Sequence, residues 1–308
     1  MTILVAGASG LVGSAIVREL KRANMPVIGI SSKDLNLLDR SRTFSYVKSI
    51  KPTVVIDAAA KVGGIGGNSN YPVEFLTQNI QIQSNLMDSA HEANVERFIF
   101  LGSSCIYPKT CLQPIKEEYI LTGELEQTNS AYAIAKIAGI ELIKSYRKEY
   151  NRSWISVMPT NLYGPNDNFN LETSHVLPAL IRKFVDAVRI NSPEVVLWGT
   201  GSPLREFLHV DDLAKAILVC LENYDDMQHI NIGSGIEISI KDLSIKIADI
   251  VGYNGKIIWD PKYPNGTPRK VLDITKITKL GWAPLISLDS GIKSTVEWYS
   301  QIASENHV

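Results

Sequence analysis

Tyr132 and Lys136, in the segment SAYAIAKIAG, stand four residues apart in a strongly helix-forming stretch, so both side chains leave the same face of one helix. A nearby ammonium favours phenolate over phenol and lowers the tyrosine pKa, giving a general acid or base usable near neutral pH. Taken alone, the spacing is more often that of a surface lysine beside a half-buried tyrosine. Ser103 changes the weighing. It lies in FIFLGSSCIYP, which reads as a buried strand ending in small hydroxyl residues. At the carboxyl end of such a strand its hydroxyl faces the ligand crevice of an open α/β sheet. There it can donate to a carbonyl oxygen while Tyr132 protonates it, the polarisation that hydride delivery requires.

A hydride needs a carrier, and the amino terminus holds a turn that fits one. Gly7, Gly10 and Gly13 are spaced as G-x-x-G-x-x-G, with Ala8, Ser9, Leu11 and Val12 between them. The turn lies between a β-branched strand and a helical run. At that junction the first glycine permits the tight turn, the second lets backbone N–H groups reach a pyrophosphate, and the third lets helix and strand pack closely. An ordinary glycine-rich loop is the bland alternative. At the end of the second strand, where NAD enzymes place an acid for the ribose hydroxyls, the chain has Ser31, Ser32 and Lys33. Two hydroxyls and an ammonium suit the 2′-phosphate of NADP. Asp34, one residue further on, argues the other way, and a lysine such as Lys33 is commonly just a solvated surface residue.

The elements that must position these groups follow from the pattern of apolar runs. Ile3 to Val5, Val27 to Ile30, Val54 to Ile56 and Phe98 to Leu101 read as buried strands, with a helix from Val12 to Arg22 between the first two. Alternation of this kind predicts an α/β fold, a Rossmann-type doubly wound parallel sheet. Past Pro159 the texture changes to loops such as NLYGPNDNFN, a helical stretch from Leu177 to Arg189, and VVLWGTGSPLREFLHV. These predict a smaller, mainly carboxy-terminal region that covers the ligand. VDDLAKAILVCLENY reads as a helix and HINIGSG as a strand returning to the sheet. A helix follows from Ser239 to Val251, and another from Leu288 to Ser300. The expected division is 1–163 plus about 207–236 for the dinucleotide domain, and about 164–206 plus 237–308 for the substrate domain.

Composition sets the class of ligand. The 308 residues are 45% hydrophobic and 20% charged, in the range of a chain that folds on its own, and the formal net charge is −1. No global basic field is available for nucleic acid or an anionic membrane, so an anionic ligand must be held by local donors. No apolar stretch approaches the roughly 20 residues of a membrane span. The opening MTILVAGASG lacks a basic leader and a cleavage site, and the chain is expected to begin directly with its fold. Cys105, Cys111 and Cys220 form an odd set without CxxC spacing, which excludes a disulfide framework or structural zinc site as the expectation and fits a reducing, cytoplasmic compartment.

GASGLVG, SSCIYP and YAIAK, in that order, resemble the extended short-chain dehydrogenase/reductase family. AAAKVGGI, GSSCIYPK, YAIAKIAGI, MPTNLYGPNDNF, SHVLPAL and WGTGSPLREFLHVDDL narrow the resemblance to the GDP-L-fucose synthases within it, along nearly the whole chain. What this implies is a bifunctional NADPH-dependent 3,5-epimerase/4-reductase acting on GDP-4-keto-6-deoxy-D-mannose, working as a homodimer built by packing helices. Residue by residue, it implies a reductase triad of Ser103, Tyr132 and Lys136, and an epimerisation acid and base in Cys105 and His175. It further implies cofactor contacts from the glycine turn, from Leu101, Gly102, Ser103 and Ser104, from Lys136, from Pro159, Thr160, Asn161 and Leu162, and from His175. Lys183, Trp198, Arg205 and Asn265 are implied in holding the nucleotide diphosphate sugar.

Without the resemblance Cys105 reads as a buried core thiol, His175 as a loop histidine, Trp198 as a core residue, and Arg205 as the partner of Glu206 or Asp211. The chain also departs from the family pattern. Many bacterial and plant members have Arg where Ser9 stands and a basic residue near Ser32, whereas animal members share the GSG turn and the SSK segment, so NADPH is the expected cofactor. Asn265 replaces an Asp often seen there, and Lys183 an Arg. Two rivals remain: a nucleotide-sugar 4-epimerase that keeps NAD bound, and a dinucleotide-sensing module without catalysis.

Overall fold

The computed structural model describes residues 2–263 and 265–305. Strands of a parallel sheet covered on both faces need no polar positions, and the first half of the chain is built on that rule. β1 (Ile3–Ala6) and β3 (Val54–Asp57) are buried at every position. With β2 (Val27–Ile30), β4 (Arg97–Leu101), β5 (Ile155–Pro159) and β9 (Ile230–Ile232) they form one parallel sheet in the order β2-β1-β3-β4-β5-β9. This is the Rossmann-type, doubly wound α/β architecture. The chain runs from β1 to β2 on one side and comes back past β1 to form β3. The crossover direction therefore reverses beside β1, and the ligand crevice of such a sheet lies at the carboxyl ends there.

Alternation along the strands divides the core. Ile3 and Val5 pack on one face with Ile16 and Leu20 of α1 (Leu11–Arg22) and Leu213 and Ile217 of α7 (Val210–Asn223). Leu4 and Ala6 pack on the other face with Leu86 of α4 (Pro72–Glu92) and Ile140 and Ile143 of α5 (Ser130–Tyr150). Truncating any one of these fully buried Leu or Ile side chains to Ala should cost about 2–5 kcal/mol. α2 (Arg40–Ile50) is started by Asp39, whose carboxylate accepts from the Arg42 backbone N–H at 3.0 Å. The short α3 (Ile65–Asn70) precedes α4.

The second region is mixed. β6 (Asn161–Tyr163), β8 (Leu204–His209), β10 (Glu237–Ser239) and β12 (Arg269–Lys270) form a small sheet centred on β8. β7 (Glu194–Trp198) pairs with β11 (Lys256–Asp260). α6 (Val176–Arg189) buries Leu177, Leu180, Ile181 and Phe184, the stripe that 3.6-residue spacing produces, against α8 (Ile240–Val251) and α10 (Leu288–Glu305). α9 (Thr275–Lys279) packs by β9.

Glu206 ties these layers together. Fully buried, it accepts from the Leu272 N–H at 3.0 Å and the Gly235 N–H at 2.6 Å. Burial raises its pKa and those backbone bonds oppose the rise. The expected strands and helices are present with ends shifted by a residue or so, except the last helix, which runs on to Glu305, and Asn161–Tyr163. Those three residues, expected as loop, are a strand because β8 offers them a parallel edge, with Asn161 opposite Phe207.

Candidate active site

One cleft of about 830 Å³ runs along the carboxyl ends of the large sheet and under the second region. The glycine turn forms one wall. Gly7 takes φ +77°, and a Cβ there would lie 2.7 Å from the Ala58 carbonyl oxygen. A Cβ on Gly13 would lie 2.1 Å from the Gly7 carbonyl oxygen, so this position holds the turn against α1 and does not line the cleft. Gly10 is the N-cap of α1 and supplies no side-chain cap, which leaves the first N–H groups of the helix for an anion. Gly7, Ser9, Gly10, Leu11 and Val12 line the cleft, while Ala8 sits beneath them, its N–H donating to Ile30 O at 2.9 Å. At the end of β2, Ser31 and Ser32 line the cleft and Lys33 does not. A dinucleotide pyrophosphate fits this arrangement of free backbone donors.

Leu101, Gly102, Ser103, Ser104 and Cys105 follow β4 into the middle of the same cleft, opposite Tyr132 and Lys136 on α5. Lys136 is 3% exposed. Its ammonium donates to the Leu101 carbonyl at 2.8 Å and lies 4.7 Å from the Phe100 ring centroid and 5.9 Å from that of Tyr132. Burial lowers its pKa to about 8, and the charge of Asp57 resists that shift. Asp57, itself 1% exposed, is raised to about 6 by burial, with Lys136 pulling the other way.

Tyr132 departs from the expectation of a lowered pKa. Burial pushes its hydroxyl well above the ordinary phenol value, the Cys105 thiol adds to this, and the hydrogen-bonding Ser103 hydroxyl opposes it. Lys136 is engaged with the Leu101 carbonyl and the Phe100 ring, and desolvation is the main influence on Tyr132. Tyr132 is thus a proton donor at neutral pH.

Cys105 and His175 come from opposite sides of the cleft, the first from the turn after β4 and the second from the N-cap of α6. A residue from a third segment joins them. Lys270 of β12 donates to the Cys105 sulfur at 3.7 Å, and its charge also acts on His175. His175 is exposed to the cleft, where desolvation by the nearby protein first, and the charge of Lys270 second, lower its pKa to about 4, so the imidazole is neutral near pH 7.

Pro159, Thr160, Asn161 and Leu162 also line the cleft, and the Asn161 amide donates to Glu206 O at 2.8 Å. Further along lie Lys183, Trp198, Arg205 and Asn265. Arg205 bonds the carbonyls of Leu204 at 2.8 Å and Asn265 at 3.4 Å, whereas Asp211 pairs with Arg18 and Glu206 holds backbone N–H groups. Trp198 is 48% exposed, since alternation along β7 turns it outward. It stacks on Tyr263 at 4.3 Å, with the Lys183 ammonium 5.8 Å from its ring. Among the described residues, no group of His, Cys, Asp and Glu is placed to hold a metal ion, and no helix is long and apolar enough to cross a membrane.

The family model described as NAD dependent epimerase/dehydratase matches residues 3–233. The chain belongs to this family. GDP-L-fucose synthase 1 of Arabidopsis thaliana is 52% identical over 298 residues, 96% of this chain and 92% of that protein. GDP-L-fucose synthase of Escherichia coli (strain K12) is 48% identical over 307 residues, 96% of each. A GDP-L-fucose synthetase from Naegleria fowleri, solved with NADP bound, superposes with a TM-score of 0.90 at 30% identity, covering 98% of this chain and 95% of that one.

In this member of the family the structure adds three residues that sequence reading passed over. Lys270 sits in a short basic run with no periodicity and no signal linking it to Cys105, 165 positions away. Asp57 ends an apolar strand, and a carboxylate closing VVID was a readable hint of a polar partner at the crevice. Tyr263, in a loop, becomes notable only through its stack on Trp198.

Proposed function

We propose that this chain is an NADPH-dependent 3,5-epimerase/4-reductase that converts GDP-4-keto-6-deoxy-D-mannose to GDP-L-fucose. The observation that carries this reading is the meeting of two sets of groups in one cleft: a donor set for a carbonyl oxygen in Ser103 and Tyr132, and a flanking proton-exchange pair in Cys105 and His175. The names of the relatives support the choice of sugar.

In this reading the C4 carbonyl oxygen lies between the Ser103 and Tyr132 hydroxyls. At C3 and at C5, one of Cys105 and His175 removes a proton from the carbon beside the carbonyl and the other returns one on the opposite face, while Ser103 and Tyr132 hold the enolate charge. Neutral His175 can accept a proton, and Lys270 places a positive charge where negative charge develops on the Cys105 sulfur. The glycine turn, through Gly7, Ser9, Gly10, Leu11 and Val12, would hold NADPH, which would supply the hydride for C4 and be oxidised to NADP. Tyr132 gives its proton to the C4 oxygen and regains one from solvent. Lys136 stands behind Tyr132 and, as the family implies, holds the nicotinamide ribose. Lys183 and Arg205 hold the diphosphate and Trp198 packs against a ring, with Asn265 beside Arg205.

We place the enzyme in the cytoplasm, as its three free thiols suit a reducing compartment. We read it as a homodimer in which α4 and α5 pack on their copies; Val73, Ile134 and Tyr150 are apolar side chains exposed on these helices. The cofactor domain is assigned to 1–163 plus about 207–236, and the substrate domain to about 164–206 plus 237–308.

The test is incubation with GDP-4-keto-6-deoxy-D-mannose and NADPH, following cofactor oxidation and product stereochemistry. One NADPH consumed per GDP-L-fucose formed is expected; product formed without net oxidation would identify a 4-epimerase that recycles its cofactor. Cys105→Ser should keep reduction of pre-epimerised substrate and lose solvent deuterium exchange at C3 and C5, and unchanged exchange would remove Cys105 from the mechanism.

A further inference from the structure

Between the end of β3 and the middle of α3 the chain holds Gly63, Gly64, Gly66 and Gly67, and the first three of these line the cleft. Facing them is the segment that leads into α6 and ends at His175. The two lie backbone to backbone. The Gly64 N–H donates to the Thr173 carbonyl at 2.8 Å, and a Cβ on Gly64 would lie 2.3 Å from the Ser174 carbonyl oxygen. Gly64 takes φ −69°, which any residue adopts, so what the position requires is the absence of a side chain rather than backbone freedom.

Both sides of this contact are held from behind. Asn68, buried in α3, donates through its amide to the Gly63 carbonyl at 2.6 Å and to the Gly64 carbonyl at 3.0 Å. Opposite, the Ser174 N–H donates to Asn170 O at 2.8 Å, and α6 begins directly after His175 with Leu177 and Ile181 packed in the core. The His175 ring does not cap α6, so its place in the cleft is set by its backbone and by what that backbone rests on. Gly67 differs: an added Cβ there meets only side-chain atoms, the nearest at 3.6 Å.

We propose that Gly64 is a positioning residue for His175: its bare backbone lets Thr173 and Ser174 lie close enough to hold the imidazole across the cleft from Cys105. This rests on the reading of His175 as one of the proton-exchange pair and adds what keeps it in place. A methyl group at Gly64 must push the two backbones apart by about 1 Å before they reach ordinary contact, and a displacement of that size costs a reacting group ~100-fold. Ser103 and Tyr132 are carried by other segments, the turn after β4 and α5, so the groups that serve reduction keep their geometry.

Solvent deuterium exchange at C3 and C5, set against reduction of pre-epimerised substrate, tests it in Gly64→Ala, Gly67→Ala, His175→Asn, and Gly64→Ala combined with His175→Asn. Gly64→Ala should lose exchange by ~100-fold and reduction by less than about threefold, while Gly67→Ala leaves the ratio of the two unchanged. The combined variant should exchange no more slowly than His175→Asn, because a residue that acts through another adds nothing once that other is gone. Equal losses of exchange and reduction in Gly64→Ala would overturn the inference, as would additive losses in the combined variant. Should Gly64→Ala not fold, Asn68→Ala frees the same segment without adding bulk; it should lower the ratio by roughly tenfold, and an unchanged ratio there would equally overturn the inference. Exchange lost in His175→Asn but kept in Gly64→Ala would sink the positioning role alone, whereas full exchange in His175→Asn would remove His175 from the exchange pair and the positioning role with it.

Discussion

In the proposed reaction Tyr132 keeps its proton until the carbonyl oxygen receives it; burial favours this by raising its pKa, and the Ser103 hydroxyl hydrogen-bonds to it. Lys136 and Asp57 are both desolvated, and the charge of each opposes the shift that burial imposes on the other. Lys270 sets a positive charge beside Cys105 that also acts on His175, the pair proposed for proton exchange. Lys270→Gln should therefore slow deuterium exchange at C3 and C5 by about tenfold, less than the ~100-fold or more expected from deleting an acid–base group itself. Because Lys270 holds the His175 pKa down, its loss should also move the acid limb of the exchange profile to higher pH. Proton NMR in deuterated buffer reads both effects, and reduction of pre-epimerised substrate serves as the internal control. An acid limb that stayed in place would separate Lys270 from His175.

Between residue and fold, the glycine turn is the element with least tolerance. Its shape depends on Gly7 with positive φ and on Gly13 pressed against the Gly7 carbonyl. A methyl group at Gly13 meets backbone at 2.1 Å and cannot be accommodated by a side-chain rotation, so β1 and α1 must part. Gly13→Ala is expected to lose about 1–3 kcal/mol of stability, as overpacked cores do, and dinucleotide binding with it. At Gly10 the nearest atom to an added Cβ is 3.5 Å away, an ordinary contact, and Gly10→Ala should change thermal stability less while crowding the phosphate position. Denaturant melts and nucleotide titration of the two variants distinguish them; equal destabilisation would mean the turn relaxes more freely than its packing implies.

For the molecule as a whole, the site exists only because the second region is fastened over the sheet. Glu206 on β8 anchors Leu272 and Gly235, while β12 pairs with β8 so that Lys270 lies opposite Arg205. A second buried network joins the layers at His229, which is 1% exposed and meets the Tyr107 hydroxyl at 2.9 Å; that hydroxyl bonds Asn231 at 2.5 Å. Burial, then the charges of Lys144 and Lys276, lower the His229 pKa to about 3. The folded state thus binds fewer protons here than the unfolded chain, whose histidine titrates near 6.5. The sign follows: stability is fully present above about pH 6.5 and declines as pH falls toward 3, with a slope from this group of at most ~1.4 kcal/mol per pH unit. His229→Gln should flatten urea-derived stability against pH in that window by up to this amount. An unchanged slope would show that His229 takes up its proton without unfolding.

Much of this was legible in the residues. The buried runs before and after the glycine turn, the four-residue spacing of Tyr132 and Lys136, and the amphipathic stripe of α6 are local patterns, and local patterns determine strand, turn and helix because they act through nearest neighbours on the chain. They also placed Ser103 at a strand end, and family resemblance added Cys105 and His175. The tertiary structure alone decided what each group faces. It brought Lys270 to Cys105, turned the expected lowering of the Tyr132 pKa into a rise by burial, took Lys33 away from the cleft and put Asp34 on Ser31. Desolvation and charge depend on every atom within a few ångströms, most of them distant in sequence, and no spacing along the chain encodes them.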